Sequence, residues 1–272
     1  MCPIGGSQRP AEPGRSSGVQ PPVNSAGRSG HRRCLSSWGH SQPQESIVRA
    51  TFQAELDRVR DQLVTMTGQV ELAMSRATTA LLDADYTLAD WVIDTDREID
   101  TVKTEIDDAC FQLLARQQPV ATDLRVIVTA LSIAADLERM GDLGAHVAKV
   151  AKMRFPESAV PPELRATVLE MAEAAQAVVA KTGSVIAGQD IERAKELEAD
   201  DDIVDRLHKD LFRILIAETW VYGVEPAIDM TLLGRYYERF ADHGVRVARQ
   251  VVYVVTGVMP TRPPAEWNDE QG

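Results

Sequence analysis

One eight-residue pattern occurs twice in this chain, with Glu, Arg, Asp and Gly at matching positions. Glu138-Arg139-Met140-Gly141-Asp142-Leu143-Gly144-Ala145 returns one hundred positions later as Glu238-Arg239-Phe240-Ala241-Asp242-His243-Gly244-Val245. Internal duplication is the simplest account of such a repeat, and two related units are the expectation. Both copies place a Glu and an Asp four apart, with an Arg directly after the Glu. Small residues follow in register: Gly141 with Ala241, Gly144 with Gly244, Ala148 with Ala248. Positions four apart share a helix face, so each copy aims two carboxylates in one direction. Such a pair repels unless water solvates it or a cation bridges it. Arg139 and Arg239, each adjacent to its Glu, are expected to point elsewhere.

The flanking pattern is helical almost throughout. Leu56, Val59, Leu63, Val70 and Met74 mark a first helix near 50–84,. A second runs near 87–117 and ends at Pro119. A third spans roughly 120–154, up to Phe155-Pro156. Pro162 is placed to open the fourth, which reaches about Gly188. Helices near 190–219 and 225–257 complete the set, separated by Gly223 and Pro226. The expected fold is all-α, as two tandem, pseudo-twofold related three-helix bundles over 48–157 and 158–260, with a tail over 261–272.

Two further acid pairs belong to the same pattern. Asp96-x-x-x-Asp100 in the second helix corresponds to Asp201-x-x-x-Asp205 in the fifth, 105 positions on. In the second helix, Leu88, Val92, Thr95, Ile99, Val102, Ile106, Ala109 and Leu113 step by four and three as a buried seam. Asp96 and Asp100 each fall one residue after a seam position. So do Glu138 and Asp142 after Leu137 and Gly141 in the third helix. Asp201 and Asp205 repeat the placement along the fifth-helix seam Leu197, Asp200, Val204, Leu207, Leu211, Ile214, and Glu238 and Asp242 repeat it after Tyr237 and Ala241.

Acids on matching seam edges of neighbouring helices can meet. Asp96, Asp100, Glu138 and Asp142 would gather in one bundle, and Asp201, Asp205, Glu238 and Asp242 in the other. Like charges a few ångströms apart repel by about 1 kcal/mol per pair even at water's dielectric. A multivalent cation would remove that cost. Ligation by oxygen alone favours Mg²⁺, Mn²⁺, Ca²⁺ or ferric iron over Zn²⁺, which usually recruits His or Cys.

Composition sets the outer limits. Hydrophobic residues make up 44% and aromatics only 5%, which suits helix packing,. The net charge of -12 disfavours a nucleic-acid partner,. Of three cysteines, only Cys110 lies in a strongly patterned region, on a buried seam. That usage fits a reducing cytoplasm,. Residues 1–47 hold 6 of 14 prolines and 7 of 17 glycines without apolar periodicity, which reads as a disordered extension. The alternative is that they are untranslated: Val48-Arg49-Ala50-Thr51 opens the helical pattern abruptly, and a GTG start codon read internally becomes valine. Trp91 and Trp220 read as packing residues near helix ends, and His243, at whose position the first copy has Leu143, as a satisfied surface or interhelix residue.

Over about 50–257 the chain resembles the PhoU family of phosphate-signalling regulators. The resemblance rests on Leu137 to Asp142, Glu238 to His243, Gln118-Pro119-Val120-Ala121-Thr122-Asp123-Leu124-Arg125, and the Asp-x-x-x-Asp pairs of the second and fifth helices. One departure is Arg246, where the family often carries Asn. The resemblance implies a cytoplasmic, non-enzymatic accessory protein of the phosphate-specific ABC transporter. It implies contacts with the transporter ATPase and a phosphate-sensing histidine kinase, repression of the phosphate-starvation response, restraint of uptake, and a homodimer peripheral to the membrane through its partners. It also implies multinuclear metal clusters (iron, manganese, magnesium or zinc) on the eight acids named above.

Two rival readings are a metal-independent helical adaptor with solvated acids and a carboxylate-bridged di-iron oxidase. The oxidase chemistry uses Glu-x-x-His motifs. His146, His208 and His243 all lack a Glu three residues earlier.

Overall fold

The computed structural model describes residues 42–259, with side chains from 49 onward. Six helices follow in order: α1 (Gln42–Asp83), α2 (Tyr86–Gln117), α3 (Ala121–Arg154), α4 (Arg165–Gly188), α5 (Ile191–Leu215) and α6 (Val224–Thr256), with a 3₁₀ turn at Pro162–Leu164 before α4. No strand occurs among the described residues. Helix α1 starts upstream of the expected position, so Gln42 to Ile47 belong to it; Pro43 sits in the first turn, where a missing N–H costs nothing,. Residues 1–41 and 260–272, with the expectations placed on them, lie outside the described residues.

The two copies turn their first corner in the same way. Ala84 and Gln189 adopt left-handed conformations with φ of 52° and 50°. Each precedes an Asp that caps the next helix. Asp85 accepts from the Leu88 amide at 3.0 Å, and Asp190 accepts from those of Glu192 and Arg193. These carboxylates satisfy amide donors that a helix start otherwise leaves open.

Helices α3 and α6 run antiparallel through the centre. Arg125, near the start of α3, donates from Nε to the Val254 carbonyl at the end of α6 at 3.2 Å, where a cation complements the helix dipole. At the other end, Arg154 grips the buried Asp229 through two nitrogens, at 2.6 and 3.1 Å, and also pairs with Glu225. Helix α2 flanks α3, and α5 flanks α6.

The repeated glycines face the remaining two helices. A Cβ on Gly144 would lie 3.5 Å from the Met74 nitrogen of α1, and one on Gly244 only 2.7 Å from Val178 Cγ1 of α4. Gly144 thus faces α1 at ordinary contact distance, whereas Gly244 makes room for α4. Met66, Val70, Met74, Met171, Val178 and Tyr237 are fully buried there; each such apolar side chain contributes about 1.5–3 kcal/mol. The Tyr237 hydroxyl meets Thr78 Oγ1 at 2.8 Å. Thr78 gives its own proton to the Met74 carbonyl, so Tyr237 is the donor.

Of the α2 seam, Val92, Ile99, Ile106 and Leu113 are buried while Leu88, Thr95, Val102 and Ala109 are only half-buried; along α3, Ile127, Ala130, Ala134, Leu137, Gly141, Gly144 and Ala148 are all buried. Cys110 is buried, and desolvation pushes its thiol up to about 11, so it is inert,. In α5 the seam departs from the expectation at its end. Ile214 is 41% exposed and Leu215 is buried, because a straight helix drifts from a strict heptad over several turns. That helix ends at Leu215, before Trp220, whose Nε1 donates to the Gly223 carbonyl within the α5–α6 turn.

Candidate metal centres and the neighbouring cleft

The first four acids lie near enough to act on one another's charge. Asp96 and Asp100 stand one turn apart on α2, and Glu138 and Asp142 one turn apart on α3. Gly141 brings the helices together, since Asp96 Oδ1 lies 3.2 Å from where a Cβ would be. Burial pushes the Asp96 carboxyl up to about 6, reinforced by Asp142, Asp100 and Glu138 and opposed by Lys149. Glu138 is also raised, by burial first and then by Asp142 and Asp100, against Arg139 and Lys103. The acids therefore share one field, with Asp100 the most exposed.

Arg139 does not point elsewhere. Its Nη1 meets Asp142 Oδ2 at 3.0 Å and its Nε lies 3.6 Å from Glu138 Oε2. A long guanidinium can turn back along its own helix to the residue three positions on, which sequence adjacency to Glu138 does not prevent.

The second set is more buried. Asp201 is 7% exposed and Glu238 8%. Glu238 is raised by burial first, then by Asp242, with Asp205 adding and Arg235 and Arg239 opposing. Arg235 Nη1 holds Glu238 Oε1 at 2.5 Å, while Glu238 Oε2 is buried with no hydrogen-bond partner. Glu238, Asp242 and Asp205 thus act on one another, and Asp201 is buried one turn along α5 from Asp205.

Among the described residues, no three His, Cys, Asp or Glu side chains form a ready metal-holding group. Carboxylates without a counterion spread apart, and here Arg139 and Arg235 supply part of the neutralisation. The donor chemistry nevertheless fits a hard cation: oxygen ligands, mutual repulsion that a cation would relieve, and an unpartnered buried oxygen on Glu238.

Sequence reading missed the buried acid beside the first cluster. Asp136 of α3 is 3% exposed. Its Oδ1 accepts from His243 Nδ1 at 2.9 Å, with Arg246 Nε at 3.3 Å, and its Oδ2 accepts from Gln250 Nε2 at 2.8 Å. His243 is therefore the satisfied interhelix residue expected, and Arg246 supplies a polar contact at the departing position. An acid set within the apolar run Ile133, Ala134, Leu137, Met140 was the available signal, since a buried charge requires partners. A cleft of ≈ 650 Å³ lies alongside, between α2, α3 and α6. Trp91, expected only to pack, is 37% exposed and carries the Arg76 guanidinium 4.0 Å above its ring.

Six long helices in two related sets, each with acid pairs facing across a helix hairpin, define an internally duplicated helical-bundle protein. The PhoU domain family matches residues 63–151 and again 168–251. The chain belongs to the PhoU family. It is 42% identical over 213 residues to the phosphate-specific transport system accessory protein PhoU homolog 2 of Mycobacterium tuberculosis, covering 78% of this chain and 100% of the relative. The corresponding homolog of Pseudomonas aeruginosa is 35% identical over 214 residues, covering 77% of this chain and 87% of the relative. Among solved structures, PhoU from Pseudomonas aeruginosa superposes with a TM-score of 0.70 at 32% identity, over 76% of this chain and 100% of that one. The phosphate transport system regulatory protein PhoU from Streptococcus pneumoniae shares the fold, with a TM-score of 0.69 at 24% identity over 78% and 100%.

Proposed function

We propose that this protein is a cytoplasmic negative regulator of phosphate uptake and of the phosphate-starvation response, acting as a metal-binding adaptor between the transporter ATPase and a phosphate-sensing histidine kinase. Its relatives are named as accessory proteins of the phosphate-specific transport system, which supports association with that transporter and a regulatory rather than an enzymatic role. No helix among the described residues is long and apolar enough to cross a membrane, so contact with the transporter would run through a protein surface.

The observation that carries the metal part is the shared field of Asp96, Asp100, Glu138 and Asp142. A hard cation there would supply the positive charge that four carboxylates lack, and would tie α2 to α3. The same logic ties α5 to α6 through Asp201, Asp205, Glu238 and Asp242. Fixing each hairpin would pre-organise its exposed end for a partner. Those ends are apolar in both copies: Phe111, Leu124 and Val128 on one, Ile216, Val224 and Ile228 on the other, all 40% exposed or more,. A homodimer would draw on the same kind of surface.

A second reading, the metal-independent adaptor, is favoured by one observation: Arg139 and Arg235 already sit on the acids. Metal analysis of the purified protein separates the two. The metal-bound reading expects a hard cation that is lost in Glu138→Gln/Asp142→Asn; equal metal content in parent and variant favours the other. The regulatory role is tested by a phosphate-starvation reporter in rich medium, which should switch on when the gene is deleted. A silent reporter would contradict it.

A further inference from the structure

The two acid clusters differ chemically, and the difference lies one turn beyond the acids. Asp205 of α5 acts on Glu238 of α6. One turn further along α5 stands His208, and one turn back along α6 stands Gly234. The imidazole fills the space this glycine leaves: a Cβ on Gly234 would lie 3.0 Å from His208 Cδ2 and 3.6 Å from its Nε2. That Nε2 is buried and has no hydrogen-bond partner. Phe212, one turn further from Asp205, packs its ring against the imidazole with centroids 4.8 Å apart. Asp205 and Arg235 each act on both His208 and Glu238, so the ring and the acids share one neighbourhood. Burial first, then Arg235, hold the imidazole below its ordinary pKa. It is therefore neutral near pH 7 and, with its proton on Nδ1, keeps a lone pair on Nε2.

The first copy is built differently. His208 and Phe212 correspond to Lys103 and Asp107, and Gly234 to Ala134. Lys103 donates to Asp107 at 2.6 Å, and an ammonium has no lone pair to give. We infer that His208 is a nitrogen ligand of the second centre, which takes a borderline divalent ion such as Fe²⁺, Co²⁺ or Zn²⁺ where the first takes Mg²⁺ or Mn²⁺. Imidazole suits iron and zinc, whereas carboxylate and water suit magnesium and manganese. Asp205-x-x-His208 has the i, i+3 spacing by which one helix presents an acid and an imidazole to the same metal. Glu238, only 8% exposed, supplies from the facing helix a second buried donor without a partner, its Oε2.

The inference rests on the metal-bound reading and deepens it, since the two hairpins would then be fixed by different ions. Its test uses the purified full-length chain, stripped of metal and titrated at pH 7 with Co²⁺ and, separately, with Mg²⁺. Proton NMR of the Co²⁺-loaded parent should show the strongly shifted, exchangeable Nδ1–H resonance of a cobalt-bound imidazole, and His208→Gln should lose it. The same substitution should weaken the tightest Co²⁺ site by about tenfold or more, a loss that even the partners of metal ligands cause. Mg²⁺ affinity should stay at the parent's value. Circular dichroism checks that the variant keeps the parent's helix content; if it does not, His208→Asn is judged by the same criteria. A parent without the shifted resonance, a resonance that survives the substitution, parental Co²⁺ affinity in the variant, or an equal loss of Mg²⁺ affinity would each overturn the assignment. Asp205→Asn/Glu238→Gln separates the two readings. Co²⁺ lost there but unchanged in His208→Gln sinks the imidazole alone, and Co²⁺ retained in both sinks the acids as well.

Discussion

Asp96 Oδ1 lies 3.2 Å from the point a Cβ on Gly141 would occupy, so an acid of α2 is seated against bare backbone of α3. Burial there, with Asp142 and Asp100 nearby, pushes its carboxyl up to about 6. The folded value stands above the unfolded one, so between the two the native chain binds more protons than the unfolded chain. The resulting destabilisation is present in full above about pH 6 and is relieved as pH falls toward about 4, the unfolded value. With divalent cations chelated, urea unfolding should show the parent gaining on Asp96→Asn as pH drops through that window. Screening of this half-exposed group limits the gain to about 1 kcal/mol or less. A parent-to-variant gap that stays constant with pH would contradict the account.

Adding a hard divalent cation should raise the thermal midpoint of the parent, because a ligand that binds only the folded state stabilises it by mass action. At a hundred times its dissociation constant the effect is about 2.7 kcal/mol. Glu138→Gln/Asp142→Asn should remove part of the rise, and adding Asp205→Asn/Glu238→Gln the remainder. Scanning calorimetry with and without Mn²⁺ measures both; an identical rise in parent and quadruple variant would rule out the acid clusters as the site.

Glycines at two helical positions should respond oppositely to alanine. At Gly244 the new Cβ would meet Val178 Cγ1 at 2.7 Å. Val178 is a stiff β-branched side chain in a full core, so overpacking should cost about 1–3 kcal/mol. At Gly68, in the middle of α1, nothing lies within 4 Å, and alanine should stabilise by roughly 0.5–1 kcal/mol. Chemical denaturation of the two single variants should therefore bracket the parent.

Asp136→Ala should cost about 2–3 kcal/mol, since it strips buried His243 and Gln250 of an acceptor together,. Arg246→Ala should cost less than about 1 kcal/mol, its side chain being 62% exposed,. Equal losses in the two variants would mean that the exposed arginine, rather than the buried bonds, sustains the α3–α6 contact.

The acid pairs were legible because both of their requirements are local. Four-residue spacing puts Glu138 over Asp142, and the position after a seam residue sets them at the edge of the packed face. The helix corners left a clear but unread signal, since Asp85 and Asp190 sit 105 residues apart, as the α2 and α5 acids do. Arg139 escaped because adjacency describes backbone positions, whereas its long side chain chooses among partners by where negative charge accumulates. His243 could be read as satisfied, but not by what.

Apolar periodicity and duplication alone determined six helices, their two related sets and the faces that carry acids, because these follow from the helical repeat and nearest-turn geometry. Only the tertiary structure decided that α3 and α6 form the antiparallel centre, that Asp136 meets His243 across 107 positions, and that one copy opens a charged cleft where the other packs Tyr236 on His146. Those outcomes depend on how whole helices cross and slide against each other. That arrangement is set by the summed packing of distant side chains, which no spacing along a single helix encodes.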